Sequence, residues 1–258
     1  MQYIDMHCDT LAEGVAHKKQ TITVMEHSMV DITRLKQAGA AAQFFAMFLP
    51  QKEYHEDFKT WLGVDEMFTE EDFLAKMYEI YQNTLKENAD ILAPARSYRN
   101  LMENQKNGKI SAFLTIENGY PVKGKLENLK KYHDMGVSLI TLTWNDPNCF
   151  GFPHSKNPDD MQKGLTDFGK EAVKYMNELG IIVDVSHLSD GGFYDVAKIG
   201  KKPFVASHSN CRAVSPATRN LTDGMIKILA EKGGVAGINF EPSFLNKDVT
   251  DNHSRVEQ

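Results

Sequence analysis

Five side chains of the types that bind metal ions follow predicted β-strands in this sequence. His7 and Asp9 stand two residues apart at the end of the first predicted strand, and Glu117 directly follows a later strand. His187 and His208 end two further predicted strands. Because alternate residues of a strand point to the same side, we expect His7 and Asp9 to project together. Imidazoles and carboxylates are the ligands that zinc and related divalent ions prefer, so these residues predict a metal site.

The number of candidate ligands favours two metal ions over one. A single tetrahedral catalytic ion that keeps a bound water needs fewer than the five groups found here. Two ions about 3.5–4 Å apart, sharing a carboxylate and a hydroxide, would use all of them. Taken singly, each histidine has a simpler interpretation as a structural residue, and each carboxylate as a helix cap. The remaining histidines lie in polar or helical segments and are interpreted as surface residues: His17, His27, His55, His133, His154 and His253.

The segments around the candidate ligands alternate between apolar strands and amphipathic helices. Most of the apolar runs are continuous, which is typical of parallel strands covered on both faces. Gly136, Gly180 and Gly233 follow the ends of predicted helices. The predicted strands are 3–9, 40–48, 110–116, 137–143, 181–187, 203–208 and 234–240, and the predicted helices are 68–88, 125–135, 165–179 and 222–232.

Repeated strand–helix units predict an α/β fold, and at this chain length a (β/α)8 barrel. The active site of such a barrel lies at the carboxyl ends of its strands, where the candidate ligands stand. A closed barrel needs eight strands, whereas the sequence predicts seven, and the segment after Phe240 does not resemble a strand. We therefore expect one barrel domain over residues 1–258 that lacks its eighth strand, as in a chain truncated at its C-terminus.

Composition excludes several classes of protein. With 258 residues, 41% hydrophobic and 25% charged, the chain is globular rather than collagen-like, coiled-coil or disordered. A net charge of −6 provides no basic field for a nucleic acid, and no apolar run approaches the ~20 residues that cross a membrane. The N-terminus lacks a signal-peptide pattern, and Cys8, Cys149 and Cys211 are widely spaced, which favours a reducing cytoplasm.

Several ordered motifs resemble the membrane dipeptidase family, also called renal dipeptidase or peptidase family M19. The resemblance extends to about Phe240 and implies a barrel of the metal-dependent hydrolase type that binds two zinc ions and cleaves dipeptides. The motifs are IDMHCDT at 4–10, TIENG at 115–119, SLITLTWN at 138–145, and the longer segments 164–190, 203–223 and 234–240.

The resemblance assigns a role to each candidate ligand. His7 and Asp9 would bind one zinc ion, and His187 and His208 would bind the second. Glu117 would bridge both ions and is the candidate catalytic residue. This is the same set of residues that the strand ends indicate.

The resemblance also implies contacts with the substrate. Arg219 matches a family arginine that binds the terminal carboxylate of the peptide, for which a planar guanidinium is well suited. Where vertebrate members carry a histidine that contacts the scissile carbonyl, this chain has Trp144-Asn145, so that role passes to Asn145, to a zinc ion or to no residue. Phe244 falls where relatives place an aromatic side chain. Asp184 either forms an ion pair in the helix layer or orients a metal ligand.

The preferred hypothesis is a zinc-dependent dipeptidase in which a metal-bridging hydroxide attacks the peptide carbonyl. Its relatives often form homodimers. The family's eighth strand ends in a motif whose aspartate handles the proton, and no such motif exists in this sequence. If this chain is the whole protein, we expect weak or no hydrolysis.

Two alternatives remain open. The first is another binuclear amide or ester hydrolase, although the His-x-Asp pair on the first strand disfavours relatives that carry a His-x-His pair. The second is an inactive or truncated barrel that binds metal without cleaving peptides, and the strand edge left by a missing strand would then promote association or instability.

Overall fold

The computed structural model describes residues 2–51, 54–63 and 68–248, and within them strands and helices alternate along the chain. The β-strands are β1 Tyr3–Cys8, β2 Ala40–Phe48, β3 Leu92–Ala95, β4 Ile110–Glu117, β5 Val137–Thr141, β6 Ile182–Asp184, β7 Val205–Ala206 and β8 Val235–Ala236. The α-helices are α1 Thr10–Ala16, α2 Ile32–Ala38, α3 His55–Leu62, α4 Glu70–Glu87, α5 Tyr98–Lys106, α6 Leu126–Met135, α7 Pro158–Met161, α8 Asp167–Leu179, α9 Asp190–Ile199, α10 Asp223–Glu231 and α11 Pro242–Leu245. The predicted helices correspond to α4, α6, α8 and α10.

The strands hydrogen-bond in the order β1-β2-β4-β5-β6-β7-β8, and β3 pairs with β4 outside this series. The pairs β1–β2, β2–β4, β3–β4, β6–β7 and β7–β8 are parallel. Each of the seven strands in the series coincides with one of the predicted runs, with β4 extending one residue further to Glu117, so the α/β fold class is confirmed. In the part of the chain that the structure describes, no eighth strand continues the series beyond β8.

β3 is a strand that the sequence analysis did not predict. It has only four residues, Leu-Ala-Pro-Ala, and Pro94 within it has no backbone N–H to donate. A short run containing proline is not typical of a strand. β3 nevertheless pairs with β4 along its whole length: Leu92 lies opposite Ile110, and Ala95 lies opposite Phe113. Its partner β4 is buried along its whole length, and that tertiary contact outweighs the weak local preference.

The chain divides into two compact units, the first comprising Met1–Pro121 and Asp134–Leu139. Its core is built on β2 and β4, in which every residue is buried. Phe44 and Phe113 stack with their ring centroids 4.3 Å apart, and the Tyr81 hydroxyl donates to the Ala112 carbonyl oxygen at 3.0 Å. The register pairs Phe48 with Glu117 at the last residue of both strands, so a rigid buried sheet fixes the position of Glu117.

The second unit comprises Val122–His133 and Ile140–Gln258. Its α8 begins at a cap, where the Thr166 side chain accepts from the Gly169 N–H, and ends at Gly180 in the left-handed conformation at φ 82°. The buried face of α8, including Val173 and Met176, packs toward β6 and α9. The prediction of one domain over residues 1–258 stays a prediction.

None of the helices in residues 2–51, 54–63 and 68–248 combines the length and apolar composition of a transmembrane segment.

Candidate metal centre

Three of the predicted ligands lie together around the ends of β1 and β4, and we call them the first ligand group: His7, Asp9 and Glu117. His7 Nε2 is 3.4 Å from Asp9 Oδ1 and 3.5 Å from Glu117 Oε2. The His7 backbone N–H donates to Asp5 Oδ1 at 3.1 Å, which helps to hold the end of β1. His7 on β1, Asp9 one residue beyond that strand at the start of α1, and Glu117 at the end of β4 thus bring one imidazole against two carboxylates.

The electrostatics of the first ligand group favour a cation. The Glu117 carboxyl is buried, whereas 41% of the Asp9 side chain is exposed. Burial acts to raise the pKa of Asp9, but the contacts of its carboxyl with His7 and Glu117 outweigh burial and lower that pKa. A divalent ion bound beside these carboxyl groups would favour the ionised form of both.

The other two predicted ligands form the second ligand group, His187 and His208, at the carboxyl ends of β6 and β7. Their Nε2 atoms face each other at 3.0 Å, and their ring centroids are 5.1 Å apart. His187 has φ 67°, a left-handed conformation that is uncommon for a residue with a side chain and recurs at functional sites. Two imidazole nitrogens that point at one another present lone pairs to a shared position, which suits a metal ion.

Asp184, at the end of β6, is buried and binds neutral donors. It accepts hydrogen bonds from the backbone N–H groups of Ser186 and Ser207, at 3.0 and 2.9 Å, and from the hydroxyl groups of Thr141 and Ser207, at 2.6 and 2.5 Å. Ser207 in turn contacts His208. Of the two interpretations of Asp184, these contacts favour orientation of a metal ligand over an ion pair.

Arg219 is buried beside the second ligand group and is not a surface loop residue. Its Nη1 donates to Ser209 Oγ at 3.0 Å and its Nη2 donates to the His208 carbonyl oxygen at 3.2 Å. The guanidinium carbon is 5.9 Å from the centroid of the Phe244 ring. A buried cation with a planar fork at this position can bind an anionic group of a ligand.

Asn145 also lies beside the second ligand group, with its Oδ1 3.2 Å from His187 Nδ1. His154 Nε2 is 3.4 Å from the same oxygen, and His154 Nδ1 is 2.8 Å from the Thr218 hydroxyl. Burial, followed by the charges of Arg219 and Arg212, lowers the pKa of His154 to about 4. His154 is therefore a neutral, half-buried imidazole at pH 7.

The interpretation of His154 as a surface residue is wrong. The backbone carries it to this place, because the His154 N–H donates to the His187 carbonyl oxygen at 2.7 Å and Pro153 forms a bridge with Leu188. The only signal in the sequence that His154 is not a surface residue is the apolar Phe-Gly-Phe-Pro segment that precedes it. This segment indicates that the backbone is buried, but not which residue it contacts. The structure places the other predicted site residues within the two ligand groups or against the second one.

Both ligand groups fit divalent metal ions by their donor chemistry. They offer three imidazoles and two carboxylates: His7 Nε2 lies 3.4 and 3.5 Å from the two carboxylates of the first group, and the two imidazole nitrogens of the second lie 3.0 Å apart. This combination of nitrogen and oxygen donors suits zinc and its neighbours better than calcium or magnesium, which prefer oxygen donors alone.

Comparison with known proteins identifies the family. The family model of the membrane dipeptidases, peptidase family M19, matches residues 1–257. An uncharacterised dipeptidase of Schizosaccharomyces pombe is 32% identical over 231 residues, which cover 87% of this chain and 54% of the relative. This chain thus spans about half the length of that relative.

Two solved structures resemble the chain along nearly its whole length. A metallopeptidase from Rhodobacter sphaeroides, liganded with a phosphinate mimic of the dipeptide L-Ala-D-Ala, is 26% identical with a TM-score of 0.78, covering 96% of this chain and 76% of that one. The dipeptidase AC, a metallopeptidase of family M19, is also 26% identical, with a TM-score of 0.79 over 96% of this chain and 75% of its own. These structures confirm the predicted fold class, a barrel of the metal-dependent hydrolase type to which the described residues contribute seven strands. With a family match over residues 1–257 and these structural likenesses, the chain belongs to the membrane dipeptidase family, peptidase family M19.

Proposed function

We propose that this chain forms the metal centre of a zinc-dependent dipeptidase, which hydrolyses the peptide bond of dipeptides. The observation that carries the proposal is the pairing of donors at strand ends, His7 with Asp9 and Glu117, and His187 with His208. The dipeptide mimic bound by the Rhodobacter sphaeroides metallopeptidase supports a substrate of this class.

We propose that two divalent ions, zinc in particular, bind to these groups. His7 and Asp9 would hold one ion, His187 and His208 would hold the other, and Glu117 would contact both. When bound, such ions lower the pKa of a coordinated water toward neutrality and polarise a carbonyl group. Glu117 is buried at the end of β4 and paired with Phe48 of β2, so the sheet positions it, and its carboxylate would contribute negative charge to hold the cations.

Three further side chains are proposed to hold the substrate. The buried guanidinium of Arg219 would bind the C-terminal carboxylate, which restricts substrates to short peptides with a free end. Asn145 would contact the carbonyl of the scissile bond. His154, neutral at pH 7, can donate one N–H beside Asn145 without adding a charge there.

The surroundings of the enzyme are proposed from the sequence and the family. Cys8, Cys149 and Cys211 are free thiols in the structure, which is compatible with the proposed cytoplasmic location. A homodimer is proposed from the resemblance alone.

Metal binding and dipeptide hydrolysis by the purified chain test the proposal together. We expect elemental analysis to find close to two zinc ions per chain after reconstitution, and any hydrolysis of a dipeptide such as L-Ala-D-Ala, which the sequence predicts to be weak, to require these ions. Glu117→Gln keeps the size of the side chain and removes its charge, so we expect it to lower both the zinc content and the rate, the rate by more than about 100-fold.

His17→Ala is a suitable control, because it removes an exposed histidine outside both ligand groups. It should leave zinc content and rate unchanged. Two bound ions without hydrolysis of any dipeptide would favour the inactive metal-binding barrel, and hydrolysis of lactones or amino-acid amides instead would favour another binuclear hydrolase. A chain that binds no zinc, or a Glu117→Gln variant that binds it as well as the wild type, would refute the proposed centre.

A further inference from the structure

A hydrogen-bonded chain of three side chains connects the buried carboxylate of Asp184 to the imidazole of His208. The Ser207 hydroxyl is 2.5 Å from Asp184 Oδ2 and 2.7 Å from His208 Nδ1. Ser186 Oγ lies 3.3 Å from Ser207 Oγ and accepts from the His208 backbone N–H at 3.1 Å. All of these groups are buried, so bulk water does not compete for the hydrogen bonds.

Which atom donates in each of these hydrogen bonds follows from the number of protons that each group carries. Asp184 Oδ1 accepts from two backbone N–H groups, those of Ser186 and Ser207, and these donors cannot be reversed. Asp184 Oδ2 faces the hydroxyls of Thr141 and Ser207, each of which has one proton to donate. A carboxylate only accepts, so Ser207 directs its single proton to Asp184. The Ser207 oxygen must then accept from His208, whose Nδ1 carries a proton.

We propose that Asp184 and Ser207 are positioning residues that fix His208 in the Nδ1–H tautomer, with the lone pair on Nε2. This inference rests on the proposed metal centre for its purpose, because Nε2 is the atom that faces His187 Nε2 at 3.0 Å. A carboxylate behind a ligating histidine commonly fixes the tautomer and raises the basicity of the ligand. Here a serine hydroxyl lies between the two and transmits that effect.

The tautomer of His208 can be measured without metal or turnover. In the metal-free protein with neutral imidazoles, long-range ¹H–¹⁵N NMR distinguishes a protonated Nδ1 from a protonated Nε2. We expect wild-type His208 to carry the proton on Nδ1. A His208 that carries it on Nε2 in the wild type would overturn the proposal.

Asp184→Asn should reverse the chain of hydrogen bonds. The two fixed backbone N–H groups require an oxygen at the Oδ1 position, which leaves the amide NH2 facing Ser207. Ser207 must then accept from the amide and donate to His208 Nδ1, so we expect the His208 proton to move to Nε2. Zinc affinity should fall by about 10–100-fold, as when outer partners of a ligating histidine are removed. Ser207→Ala should leave His208 as a mixture of tautomers with a similar loss, and Ser207→Thr should restore the wild-type behaviour.

Thr141→Val is the matched control. It removes the other hydroxyl that donates to Asp184 Oδ2, but this hydroxyl is not part of the hydrogen-bonded path from Asp184 through Ser207 to His208. It should leave the tautomer unchanged even if it lowers stability. If Asp184→Asn folds but keeps both the tautomer and the zinc affinity of the wild type, the proposal fails; if that variant does not fold, an unchanged tautomer in Ser207→Ala refutes it equally. Because the NMR readout needs no metal, the expected tautomers together with an absence of zinc binding would refute the proposed metal centre but not the role of Asp184 and Ser207.

Discussion

At the scale of single residues, Arg219 offers the most specific test of substrate recognition. Its guanidinium is buried next to His208 and Ser209, where a planar fork can bind a carboxylate through two parallel hydrogen bonds. Arg219→Lys keeps the charge and loses that geometry. We expect the affinity for a phosphinate dipeptide mimic with a free C-terminal carboxylate to fall about tenfold or more, which corresponds to the about 1.5–3 kcal/mol of a charge-assisted hydrogen bond. Isothermal titration calorimetry of the zinc-loaded protein measures the change without requiring turnover.

The same titration with a mimic that ends in an amide separates recognition from folding. The wild type should prefer the free acid, and Arg219→Lys should lose most of that preference. Arg212→Lys is the matched control: Arg212 is paired through two nitrogens with Asp190, each contact at 2.8 Å, so its loss should lower stability and leave the preference intact. Equal effects of the two substitutions on the preference would contradict the assignment of Arg219.

Some residues of the candidate site could be predicted from the sequence because local periodicity positions them. His7 lies on β1, Asp9 lies one residue beyond its end, and Glu117 ends β4 after a long, mostly apolar run, so their place at strand ends can be read without the fold. His154 could not be predicted, because a backbone hydrogen bond to His187, 33 positions along the chain, brings it to the site. Ser207 stands out as a neighbour of His208, but its function depends on Asp184, which only the pairing of β6 with β7 brings close.

At the scale of elements, the positions of the seven strands in the series were predictable, but the lengths of the short strands were not, and β3 was not predicted. β2 has nine residues and β4 has eight, all of them buried and most of them apolar. The runs at 181–187, 203–208 and 234–240 instead yield strands of three, two and two residues. In the first two of these runs, a side chain replaces backbone partners of the sheet, because the N–H groups of Ser186 and Ser207 donate to Asp184 Oδ1. The residues that build the site thus shorten the strands that carry it.

A glycine near the start of α8 shows that packing can outweigh helix propensity. In an exposed helix, replacing glycine by alanine stabilises by about 1 kcal/mol. A Cβ at Gly169, however, would lie 2.0 Å from the Phe150 carbonyl oxygen, which also accepts from the Thr166 N–H. We therefore expect Gly169→Ala to lower the free energy of unfolding by about 1–3 kcal/mol, the usual cost of overpacking. Urea denaturation measures this change.

Lys174→Ala, in the same helix at an exposed position, is the control for Gly169→Ala. It should change the free energy of unfolding by less than about 0.5 kcal/mol. A neutral or stabilising Gly169→Ala would mean that the start of α8 does not pack against the Phe150 carbonyl as described.

At the scale of the whole molecule, the proposed metal centre predicts that zinc stabilises the fold. A ligand that binds only the folded state adds about 2.7 kcal/mol at a free concentration one hundred times its dissociation constant. We expect zinc to raise the Tm and a chelator to reverse the rise. His7→Ala and His208→Ala should each reduce the zinc-dependent rise in stability, because each removes one ligand from the proposed centre.

The double variant His7→Ala/His208→Ala distinguishes one shared centre from two independent sites. If Glu117 joins the ions into one centre, each single variant already weakens zinc binding by the entire centre. The zinc-dependent stability lost in the double variant should then be smaller than the sum of the two single losses, by about 0.5–3 kcal/mol. Strict additivity would mean that the two ligand groups bind metal separately, and the shared binuclear centre would then be wrong even if both groups bind zinc. Thermal unfolding of the four proteins with and without zinc gives this coupling directly, because metal-free values correct for any effect of the substitutions on the fold itself.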